Sequence, residues 1–235
     1  MKIAEFRSRV LAGALLLVAG GASAATFTNV PSGATTGLPF AYFGNGANPS
    51  GDSPAVGEVI LLTSEQMLAS FSFYAVGNLS QSLQLNVAQW NPDTNAKNQA
   101  VNGIGSVLLT TIGAPSESFN AATGVTTIEF DHLALDLRSD TKYVVFLTSA
   151  DPAATGIQLS RTQTSADVSG FGVGNAFLST VPGTGWQLSF NGNGFLSMQY
   201  TAVVAAVPEP GSWAMLMAGF GLVGTLVKRL RANAA

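Results

Sequence analysis

Four carboxylates lie close to predicted strands and could serve in acid–base chemistry, namely Glu58, Glu129, Asp131 and Asp136. Two carboxyl groups about 5 Å or about 6.5–9.5 Å apart would suit a glycosidase. His132 is the only histidine, so a Ser–His–Asp triad would depend on one residue. The sequence has no Gly-x-Ser-x-Gly elbow, P-loop or His-Glu-x-x-His motif. A non-enzymatic protein is therefore expected, with a polysaccharide-active hydrolase as the alternative.

Composition argues against several kinds of partner and site. The 235 residues include no cysteine, which excludes disulfide scaffolds, thiolate zinc sites and cysteine nucleophiles. The formal net charge of −3 argues against a nucleic-acid partner, because a nucleic-acid-binding protein needs a basic face.

No cofactor is expected, and the weak candidate for a metal is calcium. Asn91, Asp93 and Asn95 place oxygen ligands at alternate positions, but Asn-Pro-Asp is also an ordinary turn and the EF-hand spacing is absent.

Aromatic residues are the candidate contacts for a polysaccharide. Aromatic faces stack on the C–H surfaces of sugars, and Tyr42, Trp90 and Trp186 could form such a platform if they converge. A tryptophan at the end of a strand is equally often a core residue whose indole N–H finds a backbone acceptor. Exposed and coplanar rings would favour glycan recognition, whereas buried Trp90 and Trp186 would favour a structural role.

The region that must position these residues, 25–206, is predicted to be an all-β domain. Period-2 alternation dominates it, so that Phe71 and Phe73 are predicted to face inward. Gly170–Gly174 lacks the pattern of a nucleotide fingerprint and is interpreted as a flexible loop. The predicted strands are Val56–Leu62, Leu68–Val76, Leu83–Trp90, Ser106–Ile112, Thr126–Phe130, Lys142–Thr148, Gly156–Ser160, Ala176–Thr180 and Phe195–Val203. This spacing is typical of an antiparallel β-sandwich, and the number of strands suggests a jelly-roll-like topology, with another sandwich topology as the alternative.

The amino terminus has the three-part layout of a secretory signal. Residues 1–9 carry three cations and one acid, and an apolar run follows from Val10 to Gly20. Ala22-Ser23-Ala24 supplies the small residues of an A-x-A cleavage site. A signal peptide over residues 1–24 is expected, cut by signal peptidase after Ala24 so that Ala25 begins the mature chain. The alternative is a retained amphipathic helix.

The carboxyl-terminal part is predicted to contain a transmembrane helix. Val207–Gly211 is a helix-breaking cluster because neither of its prolines can donate a backbone hydrogen bond. The uncharged run Ser212–Val227 has Trp213 near its start. As a helix it would be roughly 24 Å long, which is short of the ~30 Å thickness of the hydrocarbon layer. An interfacial tryptophan and snorkelling cations can cover part of this deficit. Three cations follow the run, namely Lys228, Arg229 and Arg231. They are expected to stop transfer through the membrane and to mark its cytoplasmic side. The alternative is a buried core helix.

These carboxyl-terminal features together resemble the PEP-CTERM sorting signal. The residues that carry the match are Pro208, Glu209, Pro210, Trp213, Gly219, Gly221, Gly224, Lys228, Arg229 and Arg231. The resemblance covers the predicted sorting region, residues 207–231, and its basic patch departs from an uninterrupted arginine run. It implies recognition by an exosortase, a membrane-embedded cysteine transpeptidase of Gram-negative bacteria that make extracellular polysaccharide.

The resemblance also implies a role for each part of the sorting region. Val207, Pro208, Glu209 and Pro210 form a substrate site in which the prolines hold an extended backbone and Glu209 resists entry into the bilayer. The protein is expected to pass through the inner membrane, to form a membrane-anchored intermediate and then to reach the cell surface or extracellular matrix. Extracellular polysaccharide is a candidate partner, and a purely structural matrix protein is a further alternative. The strands with Phe-x-Phe, Leu-x-Leu-x-Val-x-x-Trp and Tyr-Val-Val-Phe-Leu resemble jelly-roll modules often found ahead of such tails.

Overall fold

The computed structural model describes residues 24–30, 39–43, 53–79, 82–90, 104–149, 151, 156–162, 171–178, 185–190 and 198–207. Ala24–Ala205 form one compact unit. The described residues contain strands and no helix. The predicted signal peptide up to Ser23 and the predicted helix 212–227 lie outside the described residues.

The strands are numbered in chain order. They are β1 Ala24–Thr28, β2 Pro39–Phe43, β3 Val56–Leu61, β4 Gln66–Val76, β5 Leu83–Trp90, β6 Ile104–Thr110, β7 Ser116–Asn120, β8 Val125–Phe130, β9 Leu135–Leu137, β10 Lys142–Ser149, β11 Ile157–Ser160, β12 Gly172–Leu178, β13 Trp186–Phe190 and β14 Tyr200–Ala206.

The strands form two antiparallel sheets. The eight-stranded sheet has the order β1-β14-β4-β11-β2, with β8 and β9 also pairing with β4 and with β7 pairing with β8. The six-stranded sheet has the order β13-β12-β3-β10-β5-β6. The prediction of an all-β antiparallel fold is confirmed, and a jelly-roll-like sandwich is consistent with this arrangement.

The main hydrophobic core contains residues from both sheets. Phe71 and Phe73 of β4 are buried in it, as the alternation of the sequence predicted, and Leu85 of β5 enters it from the other sheet. Tyr200 of β14 stacks on Phe71 with ring centroids 5.5 Å apart and planes inclined by 13°. Because alternate residues of a strand point to opposite faces, one face of each sheet supplies this core.

Most predicted strands are found, with shifts of a few residues at their ends. Leu83–Trp90 has the predicted bounds, and each of the other eight predicted strands overlaps an observed one. Five observed strands were not predicted: β1, β2, β7, β9 and β13. β7 is exposed along its whole length and β9 has three residues, so neither shows the apolar alternation that marks a half-buried strand.

The interpretation of Gly170–Gly174 as a flexible loop is wrong for its second half. Gly172 begins β12, and Gly174 lies opposite Val59 of β3 and Phe190 of β13. Glycine has a low intrinsic preference for strands, but β12 is held on both sides by neighbouring strands, and this tertiary pairing outweighs the local preference.

Candidate functional site

The last strand leads directly into the predicted sorting motif. β14 ends at Ala206, which is exposed, and Val207 is half-buried. Pro208, Glu209 and Pro210 lie outside the described residues. Only Val207 separates the end of β14 from Pro208. An enzyme that cuts at this motif must therefore act within a few residues of a folded strand.

The first strand begins at the predicted signal-peptide boundary and pairs with β14. In this antiparallel ladder Ala24 lies opposite Ala205, and Ala25 lies opposite Val204. Ala24 is exposed, whereas Ala22 lies outside the described residues. Directly opposed residues of such a ladder have Cα atoms about 4.5–5.5 Å apart. The predicted mature amino terminus and the strand that precedes the sorting motif are therefore neighbours. Cleavage after Ala24 stays a prediction.

Two buried asparagines hold the beginning of β14. The side-chain amide of Asn29 donates to the carbonyl of Met198 at 2.7 Å, and its Oδ1 accepts from the Tyr200 N–H at 2.9 Å. Asn175 Oδ1 accepts from the Met198 N–H at 2.8 Å. Asn175 belongs to β12 of the six-stranded sheet, so its bond joins that sheet to the segment that leads into β14. Neither asparagine was predicted from the sequence to have a role. The feature that could have indicated one is a polar amide next to apolar strand positions.

Hydroxyl groups also connect β14 to its neighbours. The Thr201 hydroxyl lies 2.9 Å from the Thr28 hydroxyl of β1 and 2.9 Å from the Tyr74 hydroxyl of β4. The Thr28 hydroxyl also donates to the Tyr200 carbonyl at 3.2 Å. The strand that precedes the sorting motif is thus fixed by side chains as well as by its ladder bonds.

A second hydrophobic cluster lies on the other face of the six-stranded sheet. Val56 and Ile60 of β3 belong to the main core, whereas Ala55 and Val59 belong to this second cluster. Successive residues of a strand point to opposite faces, so the second cluster occupies the outer face. The remaining members of the second cluster are Ala88, Trp90, Val144, Phe146, Ala176 and Trp186.

Trp90 and Trp186 come together in this second cluster. Their ring centroids are 6.4 Å apart with planes at 86°, and the ring of Phe146 lies 5.0 Å from that of Trp186 at 69°. Trp90 is 4% exposed and Trp186 is 5% exposed. Gly57 leaves the space that Phe146 fills, since a Cβ on Gly57 would lie 2.5 Å from the Phe146 Cβ. The rings are therefore perpendicular and buried, and they pack the outer face of the sheet.

The third predicted sugar contact lies in the other sheet. Tyr42 is on β2, opposite Gln158 of β11, whereas Trp90 and Trp186 are in the six-stranded sheet. Sugar contact by these three residues stays a prediction. The weak calcium candidates Asn91, Asp93 and Asn95 lie outside the described residues. Within the described ranges, no group of three or more His, Asp or Glu side chains could hold a metal ion.

The four candidate acids occupy different environments. Glu58 is completely buried on β3, opposite Val145 of β10. Glu129 is exposed on β8, and Asp131 follows that strand. These two residues and His132 line a groove beside the segment between β6 and β7. Asp136 is exposed on β9. Because Glu58 is buried, it cannot contact a polymer. Of the other three acids, Glu129 and Asp131 lie together in the groove.

The predicted membrane segment falls in the part of the chain that is not described. This holds for Trp213, Gly219, Gly221, Gly224, Lys228, Arg229 and Arg231. The described residues include no helix that is long and apolar enough to cross a membrane.

Comparison with known proteins identifies the carboxyl-terminal motif. The family model of the PEP-CTERM protein-sorting motif matches residues 206–232. No curated protein and no solved structure matches the chain. The matched region begins at the last residue of β14 and includes Pro208, Glu209 and Pro210. This motif is the recognition signal for exosortase processing, and it implies export and membrane-anchored processing in Gram-negative bacteria. The chain therefore carries a PEP-CTERM protein-sorting motif, which implies an exported, exosortase-targeted protein.

Proposed function

We propose that residues 25–206 are a non-enzymatic, jelly-roll-like structural domain of the cell surface or extracellular matrix, delivered by exosortase processing at Val207–Pro210. The sorting motif directly after β14 is the observation that carries this proposal. The motif is a substrate, so the exported domain must supply the function of the mature protein.

The proposed route has four steps. Signal peptidase removes residues 1–24 during export through the inner membrane. The predicted helix 212–227 then holds the protein in that membrane, and the basic residues after it stop transfer. The folded domain remains beside the bilayer with Glu209 outside the hydrocarbon. Cleavage by the exosortase finally separates the domain from the helix.

Burial of the aromatic residues supports a structural role over sugar binding. Trp90 and Trp186 make edge-to-face contacts within the second hydrophobic cluster. Sugar stacking requires an accessible ring face, and these two rings have almost no accessible surface. Packing of aromatic side chains supplies a large part of the stability of a domain.

The position of the carboxylates supports a non-enzymatic role. Glu58 is enclosed in the interior of the six-stranded sheet. The hydrolase alternative therefore depends on Glu129, Asp131 and Asp136, which are exposed. Loss of measured glycan cleavage after Glu129→Gln substitution would favour that alternative.

The experiment replaces Pro208-Glu209-Pro210 with three alanines in the producing strain. The variant is expected to stay in the membrane fraction with its tail attached, because the exosortase no longer recognises it. A Ser212→Ala variant, changed just after Pro208-Glu209-Pro210, should be sorted as the wild type is. Normal surface delivery of the triple variant would reject the proposal.

Binding to the polysaccharide of the producing strain is tested separately by affinity gel electrophoresis. A structural protein without a ligand should migrate equally with and without the polymer. Retardation that depends on Tyr42 would instead assign a polysaccharide partner to the domain.

A further inference from the structure

The predicted signal-peptidase site lies inside a paired strand of the folded domain. Cleavage is predicted between Ala24 and Ala25, and both residues belong to β1. In the ladder with β14, Ala24 lies opposite Ala205 and Ala25 lies opposite Val204. The side chains of Ala24 and Ala25 are exposed, but their backbones are part of the sheet. The folded domain thus holds the backbone on both sides of the predicted scissile bond.

The sorting motif follows this ladder in sequence. Ala24 and Ala205 form its final described pair, and Pro208 comes three residues after Ala205. Pro208 and Pro210 have no backbone N–H, so neither can donate to a neighbouring strand. These prolines are therefore not suited to extend the ladder through the motif. One processing site is part of the paired strand, whereas the other comes after the strand has ended.

Side chains at the other end of β1 also hold this strand in place. The ring of Phe27 stacks on that of Phe171, with centroids 4.6 Å apart and planes inclined by 12°. The Thr28 hydroxyl lies 2.9 Å from the Thr201 hydroxyl, and the buried Asn29 bonds to the backbone at the start of β14. Detaching β1 from β14 would break these contacts together with the ladder bonds. Because folded segments are cut mainly from transiently opened states, the paired β1 is a poor protease substrate.

β1 and β14 come from opposite ends of the exported region. Within the described residues β1 pairs with β14 alone, and the opposed residues Thr28 and Thr201 are 173 residues apart in sequence. Because a chain is synthesised from its amino terminus, β14 is the last described strand to become available. The bond after Ala24 is therefore outside any ladder until β14 arrives, and it is held in the sheet afterwards.

We propose that pairing of β1 with β14 closes the signal-peptidase site and leaves the sorting motif accessible. Signal peptidase acts on the chain before this ladder forms, and the exosortase acts on the folded domain. The fold itself sets the order of the two cleavages, because each enzyme accepts a different state of the same two strands. This inference rests on the proposed sorting function and adds the conformation of the substrate at each cleavage.

Release from a signal-peptidase inhibitor tests the first half of the proposal in the producing cells. Under the inhibitor, exported precursor accumulates with β1 paired with β14, and the inhibitor is then removed. Precursor labelled during inhibition should be cut at least tenfold more slowly than precursor labelled after removal, because only the latter meets the enzyme before β14 arrives. Gel mobility of the labelled chains measures both rates.

The matched control carries about twelve glycine and serine residues between Ala25 and Thr26, a flexible spacer of roughly 19 Å. The spacer leaves Ala22, Ala24 and Ala25 unchanged but separates the cleavage site from the rest of β1. Its accumulated precursor should be cut as fast as its newly made precursor. Rapid cutting of the accumulated wild-type precursor would overturn the proposal. Equally slow cutting of both accumulated precursors would also overturn it, because the protection would not come from β1.

A disulfide between β1 and β14 tests the second half, in a chain without native cysteine. Thr28→Cys with Thr201→Cys joins two positions whose hydroxyl oxygens are 2.9 Å apart. The locked chain should lose its tail as fully as the single variant Thr28→Cys, because the exosortase accepts the folded domain. Retention of the tail by the locked chain alone would overturn the proposal. Gel mobility before and after reduction shows whether the disulfide has formed, and the opposed pair Thr26→Cys with Val203→Cys replaces it if it has not.

The same measurements separate this inference from the proposed function. A wild type that keeps its tail without any inhibitor would reject the sorting account, whatever the rate of signal-peptide cleavage. A wild type that loses its tail, but whose accumulated precursor is cut rapidly, would reject the inference and leave the sorting account intact.

Discussion

Single aromatic residues of the outer face distinguish a structural domain from a sugar-binding one. Trp186 contacts both Trp90 and Phe146 in the second hydrophobic cluster. Trp186→Ala is expected to lower the free energy of unfolding by about 3–5 kcal/mol, because it removes a buried ring and leaves a cavity. Urea unfolding of the processed protein measures this change.

Phe119→Ala is the control for that substitution, because Phe119 is aromatic but 45% exposed. Its effect on the free energy of unfolding should be well below that of Trp186→Ala. If Trp186→Ala instead left stability unchanged and abolished binding to the polysaccharide, the indole would act as a ligand contact, contrary to the structural account.

At the residue scale, the sequence predicted which side chains are buried better than what they contact. Alternation was sufficient for Phe71 and Phe73, because a strand with one buried face repeats every two residues. The partners of Asn29 and Asn175 could not be predicted, because an amide can bond to any backbone group that the tertiary fold brings near it. The convergence of Trp90 with Trp186 likewise depends on the pairing of distant strands.

At the element scale, Asn29 determines how firmly β14 is held. Asn29→Leu is expected to lower the free energy of unfolding by about 2 kcal/mol or more, because it leaves the Met198 carbonyl and the Tyr200 N–H without their partner. Asn29→Asp should cost at least as much, because it places an acceptor oxygen against the Met198 carbonyl and a carboxylate in a buried site. Urea unfolding of the three proteins measures both losses, and an unchanged free energy of unfolding in both variants would show that these two bonds do not anchor β14.

The strands themselves show where sequence patterns are sufficient. β5 was predicted with its observed bounds because its alternation is regular and Asn91-Pro92 follows it. β7 was missed because its five residues are all exposed, and β1 was missed because it begins where the signal peptide is predicted to end. These strands exist because a neighbouring strand pairs with them, and that pairing is not encoded in their local composition.

At the scale of the whole molecule, the order of strands places the predicted mature amino terminus beside the strand that precedes the sorting motif. β1 and β14 are distant in sequence and adjacent in the sheet, with Ala24 opposite Ala205. The sorting motif could be predicted completely from the sequence, because a linear segment of side chains forms the recognition signal. The exposure of Val107 and Leu108 on β6 could not, because it depends on which strands end each sheet.

The intact mass of the protein recovered from the surface of the producing cells tests the central claim most directly. The sorting account predicts a chain that begins at Ala25 and ends at or near Pro208-Glu209-Pro210, without the predicted helix 212–227 and the basic residues after it. A surface protein whose mass includes all residues up to Ala235 would contradict exosortase processing at this motif.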